Sequence, residues 1–273
     1  MILAIFILVS ELDLNLCCEE IDNEKFRTCE EILGILHLLP MTQESAKSLS
    51  EATSIRSMAL ILHKGTDEAR HQTAILLQKV STWVSDWEFI ARERIDIFPG
   101  LLEIITRGVC HQATMAALAF LIAICKKSRK IRLMAIEAGV VFCLIELLPE
   151  CERSKCENTL DLLDMLVDYA EGRAAMADHA MAIAVVSKKI FRVSEFATKK
   201  AVRILWSLCI YSSYASILRE MLQCGAVSKL CMLQQLSCAE KNKQRADEVL
   251  KLHANTFKVW PCLPYLVRNY YTR

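Results

Sequence analysis

AGVVFCLIELLP, residues 138–149, is a small residue and a glycine followed by an apolar run. Three other stretches share that shape: IDIFPGLLEIIT (95–106), HAMAIAVVSKKI (179–190) and CGAVSKLCMLQQ (224–235). Aligning Asp96, Gly139, Ala180 and Gly225 gives steps of 43 (139 − 96), 41 (180 − 139) and 45 (225 − 180). Working outward, RLMAIEAG (132–139) and LREMLQCG (218–225) each read as a short helix ended by a glycine. Glycine just past a helix takes the left-handed conformation without a Cβ clash. After each marker a few polar residues lead to a longer apolar helix: His111–Cys125, Asn158–Tyr169 and Ala197–Cys209.

A period of about 40–47 residues belongs to armadillo and HEAT arrays. A short, a medium and a long helix per unit, with that glycine, is the armadillo pattern. The expected fold is therefore all-α: an armadillo-repeat, right-handed superhelical solenoid of about five units. Upstream, Lys25–Leu39 reads as a helix ended by Pro40, and Ser45–Leu62 with Ala69–Val80 as a helix pair. Downstream, Ala239–Thr256 is polar on one face and suits a capping helix, before Pro261 and Pro264 stop helix formation. The expected division is an N-terminal apolar helix over 1–24, a repeat domain over 25–264 and a tail over 265–273.

Composition agrees. Of 273 residues, 53% are hydrophobic, with only 7 glycines and 5 prolines to break helices. Net charge is +1, from 33 basic and 32 acidic residues, so no field steers the chain to nucleic acid. The 13 cysteines are odd in number and sit mostly inside apolar runs, which suits free thiols packed as small hydrophobes in the cytosol or nucleus. Met1 to Val9 is apolar, but nine residues fall short of the roughly 20 that span a bilayer. It lacks the basic start and small-residue cleavage site of a signal peptide. A helix whose apolar face begins at the first residue, or a chain truncated upstream, would look the same.

A search for chemistry returns little. There is no C-x2-C or HExxH for a metal, no G-x-S-x-G nucleophile, and no G-x-x-x-x-G-K phosphate loop. Cys17-Cys18, Cys151…Cys156 and Cys224…Cys231 read as free thiols, and the six histidines as surface or core polar groups. No cofactor, metal or catalytic residue is expected. Trp206 and Phe120 read as core.

Residues 160–209 (LDLLDMLVDYAEGR through KKAVRILWSLC) resemble the armadillo region of plant U-box E3 ubiquitin ligases. So do residues 220–264, and AEGR (170–173), AVVSKKI (184–190), GAVSKLC (225–231) and the VLKLH…PCLP ending carry the likeness. EARHQTAILLQKVS (68–81) fits an upstream helix of that family. The likeness departs at Ala180 and Met181, where the family tends to have glycine, and after Tyr265. It implies a U-box of about 70 residues ahead of the repeats, which recruits the ubiquitin-charged E2, while the repeats hold substrates and regulators in plant immune and stress signalling. The U-box motif Cys-Pro-Ile does not occur in this sequence. The chain alone is thus expected to transfer no ubiquitin, and to meet an E2 only through a U-box upstream.

In such folds the long third helices line a concave groove. Lys188, Lys189, Lys199, Lys200 and Arg203 cluster in one unit, and Lys199 and Arg203 share a helix face as i and i+4. Asp161 and Asp164 share a face of the long helix one unit earlier. Asp161, Asp164, Lys199 and Arg203 are therefore the expected partner-binding groove, for substrate or regulatory proteins. The alternative is an import-type or other adaptor with no role in ubiquitination. Import receptors grip basic peptides with Trp and Asn, and the matching positions here are Arg203 and Ser207.

Overall fold

The computed structural model describes residues 10–11, 23–211, 215–236 and 239–258, and every regular element among them is helical. The expected N-terminal helix over 1–24 and the tail from 265 lie almost wholly outside the described residues. Two compact units divide the chain, Met1–Val140 and Val141–Arg273.

The first unit holds α1 (Asn23–Leu36), α2 (Gln43–Leu49), α3 (Ala52–Lys64), α4 (Asp67–Ser81), α5 (Glu88–Arg92), α6 (Phe98–Arg107), α7 (His111–Cys125) and α8 (Arg129–Glu137). The seam falls at the start of α9 (Val140–Leu147). The second unit continues with α10 (Arg153–Leu166), α11 (Ala170–Asp178), α12 (Ala182–Lys189), α13 (Glu195–Tyr211), α14 (Ala215–Gln223), α15 (Ala226–Gln235), α16 (Glu240–Leu252) and α17 (Ala254–Lys258).

Long helices recur as α1, α4, α7, α10, α13 and α16, each of the last five preceded by two shorter ones. They begin at 23, 67, 111, 153, 195 and 240, at steps of 44 (67 − 23), 44, 42, 42 and 45 (240 − 195). Within the first unit α1 packs on α4 and α4 on α7; within the second, α10 packs on α13 and α13 on α16. Helix α7, HQATMAALAFLIAIC, carries no Asp, Glu, Lys or Arg and buries nine of its residues over one broad face. Trp87 closes on its Phe120 edge-on, with ring centroids 5.3 Å apart. In the second unit Leu160, Leu163, Val202, Leu205, Val249 and Leu250 form the inner layer between long helices. Each such side chain stabilises by about 1.5–3 kcal/mol through burial.

The helix ends follow local chemistry. Gly139 and Gly225 take φ of +84° and +74°, as their place after short helices requires. Arg132 on α8 reaches back to the end of α7, donating from Nε to the Cys125 carbonyl and from Nη2 to that of Lys126. Arg173 on α11 does the same one repeat later, with Nη1 3.0 Å from the carbonyls of Val167 and Asp168. These arginines satisfy carbonyls that a helix end leaves without partners. Gly172 beside it is a close approach: a Cβ there would stand 2.1 Å from the Leu166 carbonyl oxygen.

Four expected elements differ. The long helix expected over Asn158–Tyr169 runs instead from Arg153 to Leu166. The helix over Ser45–Leu62 is two, α2 and α3. Thr42 and Ser45 form a capping box at the start of α2, and the Ser50 hydroxyl bonds back to the Lys47 carbonyl at its end. Local side-chain bonds of this kind compete with helix continuation. The capping helix over Ala239–Thr256 breaks at His253, whose buried ring Nε2 lies 3.1 Å from the Cys209 carbonyl. The first helix stops at Leu36 rather than Leu39, well short of Pro40. Helix α7, by contrast, has the bounds expected to the residue.

Candidate partner-binding face

The carboxylates of Asp161 and Asp164 share a face of α10, and Asp168 follows in the turn just past its end. Helix α13 lies against them and supplies Lys200 and Arg203. Lys200 Nζ is 2.5 Å from Asp161 Oδ1 and 2.8 Å from Asp164 Oδ2. Arg203 holds Asp164 through Nε and through the main-chain carbonyl, and reaches Asp168 Oδ1 at 2.9 Å with Nη2. Asp164 is the buried centre, its side chain 4% exposed, while Asp168 is 43% exposed. Burial pulls the Lys200 ammonium down, and the hydrogen bonds from Asp161 and Asp164 more than offset it, leaving it above its ordinary value. Arg203 is raised in the same way, burial opposing and Asp164 and Asp168 prevailing.

The row continues onto α16. Half-buried Trp206 donates from Nε1 to Glu248 Oε2. The Arg245 guanidinium lies 5.5 Å from the Trp206 ring centre, within cation–π range. Burial and the nearby Arg203 lower Arg245 below its ordinary value, with Asp164 and Glu248 opposing. Its Nη1 is buried and has no hydrogen-bond partner among the described residues. Tyr211 stands edge-on to Trp206 at 5.7 Å and under Arg173 at 5.1 Å. Three long helices thus present one face of carboxylates, guanidinium groups and two aromatic rings.

Of the four expected groove residues, three meet: Asp161, Asp164 and Arg203. Lys199 does not join them. It is exposed and lines a cavity of about 750 Å³ with Phe191, Phe196 and Asn242. Residues three apart and four apart both share a helix face. It is the i−3 neighbour of Arg203, Lys200, that overhangs α10. The acidic and basic groups also neutralise each other rather than standing open to a charged peptide. Trp206, expected in the core, is on this face, whereas Phe120 is fully buried. Ser207, next to it, is buried and bonds the Val167 carbonyl at 3.1 Å.

Trp206, Arg245 and Glu248 were missed by sequence reading, though the repeat spacing carried a signal for one of them. Asp161, Arg203 and Glu248 stand 42 (203 − 161) and 45 (248 − 203) apart, the same steps as the starts of their helices. Among the described residues no group of three or more His, Cys, Asp or Glu side chains is placed to hold a metal ion. Among them, too, no helix is long and apolar enough to cross a membrane.

The architecture has counterparts in known proteins. The plant U-box protein ARM repeat region matches residues 9–271 of this chain. The E3 ubiquitin-protein ligase PUB22 of Arabidopsis thaliana is 38% identical over 250 residues, covering 89% of this chain and 56% of its own length. PUB23 of the same plant is 37% identical over 251 residues, covering 89% and 61%. The chain therefore spans less than two thirds of the curated relatives it matches. Among solved structures, a computationally designed armadillo repeat protein for modular peptide recognition superimposes with a TM-score of 0.66 at 17% identity, covering 89% of this chain and 97% of that one. A designed armadillo repeat protein in complex with the peptide (KR)4 gives 0.63 at 16%, with the same coverage. The helix triplets are armadillo repeats, and the chain belongs to the armadillo-repeat family of plant U-box proteins.

Proposed function

We propose that this chain is the partner-recognition part of a plant U-box E3 ubiquitin ligase, acting in the cytosol or nucleus in immune or stress signalling. The α10, α13 and α16 face holds a segment of a substrate or regulatory protein. An E2 bound to a U-box in the full-length protein is then close enough to modify it. The chain contributes position and no covalent step. The observation that carries this reading is the row of polar and aromatic side chains on three successive long helices. Buried aromatic and arginine anchors dominate protein interfaces. Trp206 offers a ring and Arg245 a guanidinium stacked on it, a cationic group that suits a carboxylate of the partner. An import-type adaptor is less well supported: a basic peptide would meet Lys200 and Arg203, and Ser207 faces inward.

The test fuses the chain behind a U-box and measures ubiquitination of a partner identified by its binding to the wild-type chain. Trp206→Ala combined with Arg245→Ala is expected to weaken calorimetric affinity at least tenfold, since each anchor contributes about 2 kcal/mol or more. Ubiquitination falls with it while helicity by circular dichroism holds. A folded double variant that binds and is modified as well as wild type would overturn the proposed face.

A further inference from the structure

Two cysteines sit across the start of α10. Cys151 precedes the N-cap residue Glu152, and Cys156 is the fourth residue of the helix. At this spacing two apolar side chains ordinarily meet and fix the entry of the chain. Here two thiols take those two places instead. Cys156 is fully buried. Cys151 is half-buried and lines two open cavities, of about 300 and 420 Å³.

The surroundings are basic. Lys188, Lys189 and Arg192 line the first cavity, and Lys155 lines the second with Glu146 and Glu150. Lys189 is anchored by the Pro149 carbonyl, 3.3 Å from its Nζ. As a thiol, Cys151 donates to the Leu148 carbonyl at 3.2 Å. As a thiolate it accepts from Cys156, with the Lys189 and Lys155 charges adding to that bond and burial opposing; the balance brings its pKa down to about 7. The first-turn N–H groups of α10 favour an anion there as well. The Cys156 thiol moves the opposite way, raised by its bond to Cys151, by burial and by the nearby Cys151 and Glu157, with Lys189 opposing. One sulfur is thus activated and reachable, and its neighbour is protonated and sheltered.

We propose that Cys151 and Cys156 form a peroxide-reactive dithiol, a reversible modification site at the start of α10. The Cys151 thiolate attacks one oxygen of hydrogen peroxide. The O–O bond breaks, leaving Cys151 as a sulfenic acid and releasing hydroxide, which takes up a proton to become water. The Cys156 sulfur then attacks the sulfenic sulfur, its proton leaves with the departing hydroxyl as a second water, and a disulfide forms. The two sulfurs lose two electrons and the peroxide gains them. A reducing thiol reverses the change.

The experiment uses the whole reduced chain. Limiting iodoacetamide at pH 7, with site-resolved mass spectrometry, is expected to modify Cys151 about threefold faster than Cys110 in the same sample. A thiol of pKa about 7 carries about 16-fold more thiolate than an ordinary free cysteine, at about fivefold lower nucleophilicity per thiolate. Lys189→Met slows Cys151 and leaves Cys110 unchanged. Hydrogen peroxide then produces a peptide pair linked between Cys151 and Cys156. In Cys156→Ala the sulfenic acid persists and is captured on Cys151 by dimedone, and Cys151→Ser gives neither product. Equal alkylation of Cys151 and Cys110 in the folded wild type would overturn the proposal. So would peroxide treatment that yields neither the linked pair in wild type nor the dimedone adduct in Cys156→Ala.

Discussion

The two units of the chain use ion pairs differently. In Met1–Val140 one cluster of pairs joins a long helix to a medium one. Arg107 on α6 grips Asp67 on α4 with two contacts, 2.6 and 3.0 Å, and Arg70 on α4 holds Glu103 on α6. Asp67, Glu103 and Arg107 are each about half exposed. In Val141–Arg273 a cluster joins long helix to long helix, and Asp164 at its centre is shut away from water. An exposed pair contributes little because water competes for both partners, whereas losing one member of a buried set leaves charges with no solvent to turn to. The difference also bears on recognition. The last long helix of the first unit, α7, carries no Asp, Glu, Lys or Arg, whereas each of the three long helices of the second carries several.

That contrast can be broken by mutation. The largest effect is expected for Asp164→Ala, which takes the buried carboxylate from between Lys200 and Arg203 and leaves them only Asp161 and Asp168. Urea unfolding should show a loss of about 3 kcal/mol or more. A loss under 1 kcal/mol would mean the cluster behaves as a surface feature. Next come Gly139→Val and Gly225→Val. Nothing lies within 4 Å of a Cβ at either position, so only backbone strain is being measured. A β-branched residue in the left-handed region costs about 1–3 kcal/mol. The two variants should therefore lose similar stability, and a large disparity would show that the glycines do different jobs. The smallest effect is expected for Arg107→Ala, no more than about 1 kcal/mol in low salt and less in 1 M salt, where exposed charges are screened over about 3 Å. The Asp164→Ala deficit should persist in that salt. If the Arg107→Ala loss matched it, exposure would not be what separates the two clusters.

Much of the fold was legible in the sequence because period is robust. The repeat step survives substitution of any one residue, and an apolar helix such as α7 declares both its ends by where polar residues resume. What was not legible depends on angle or on distant partners. Lys199 and Lys200 are adjacent in sequence and point about 100° apart on a helix, so one faces α10 and the other a cavity. The i+4 rule chose Lys199; the crossing of α13 over α10 chose Lys200. Trp206 looked like core because it is aromatic in an apolar run, and only α16, with Glu248 and Arg245, shows what its ring edge and face are used for. The break of α2 from α3 rests on hydroxyl hydrogen bonds that no hydrophobic pattern records. At the AEGR stretch the sequence offered a likeness without a reason. The reasons are steric at Gly172 and carbonyl-capping at Arg173.

The carbonyl-gripping arginines have a consequence for how such a chain changes over generations. Arg132 and Arg173 hold main-chain oxygens, which every residue possesses, so the connecting residues need not be conserved in kind. Lys126, Lys127 and Ser128 serve in one joint, and Val167, Asp168 and Tyr169 in the other. A repeat that carries its own arginine brings its fastening with it. It can be duplicated, or set behind a different long helix, without a matching change in the segment that receives it.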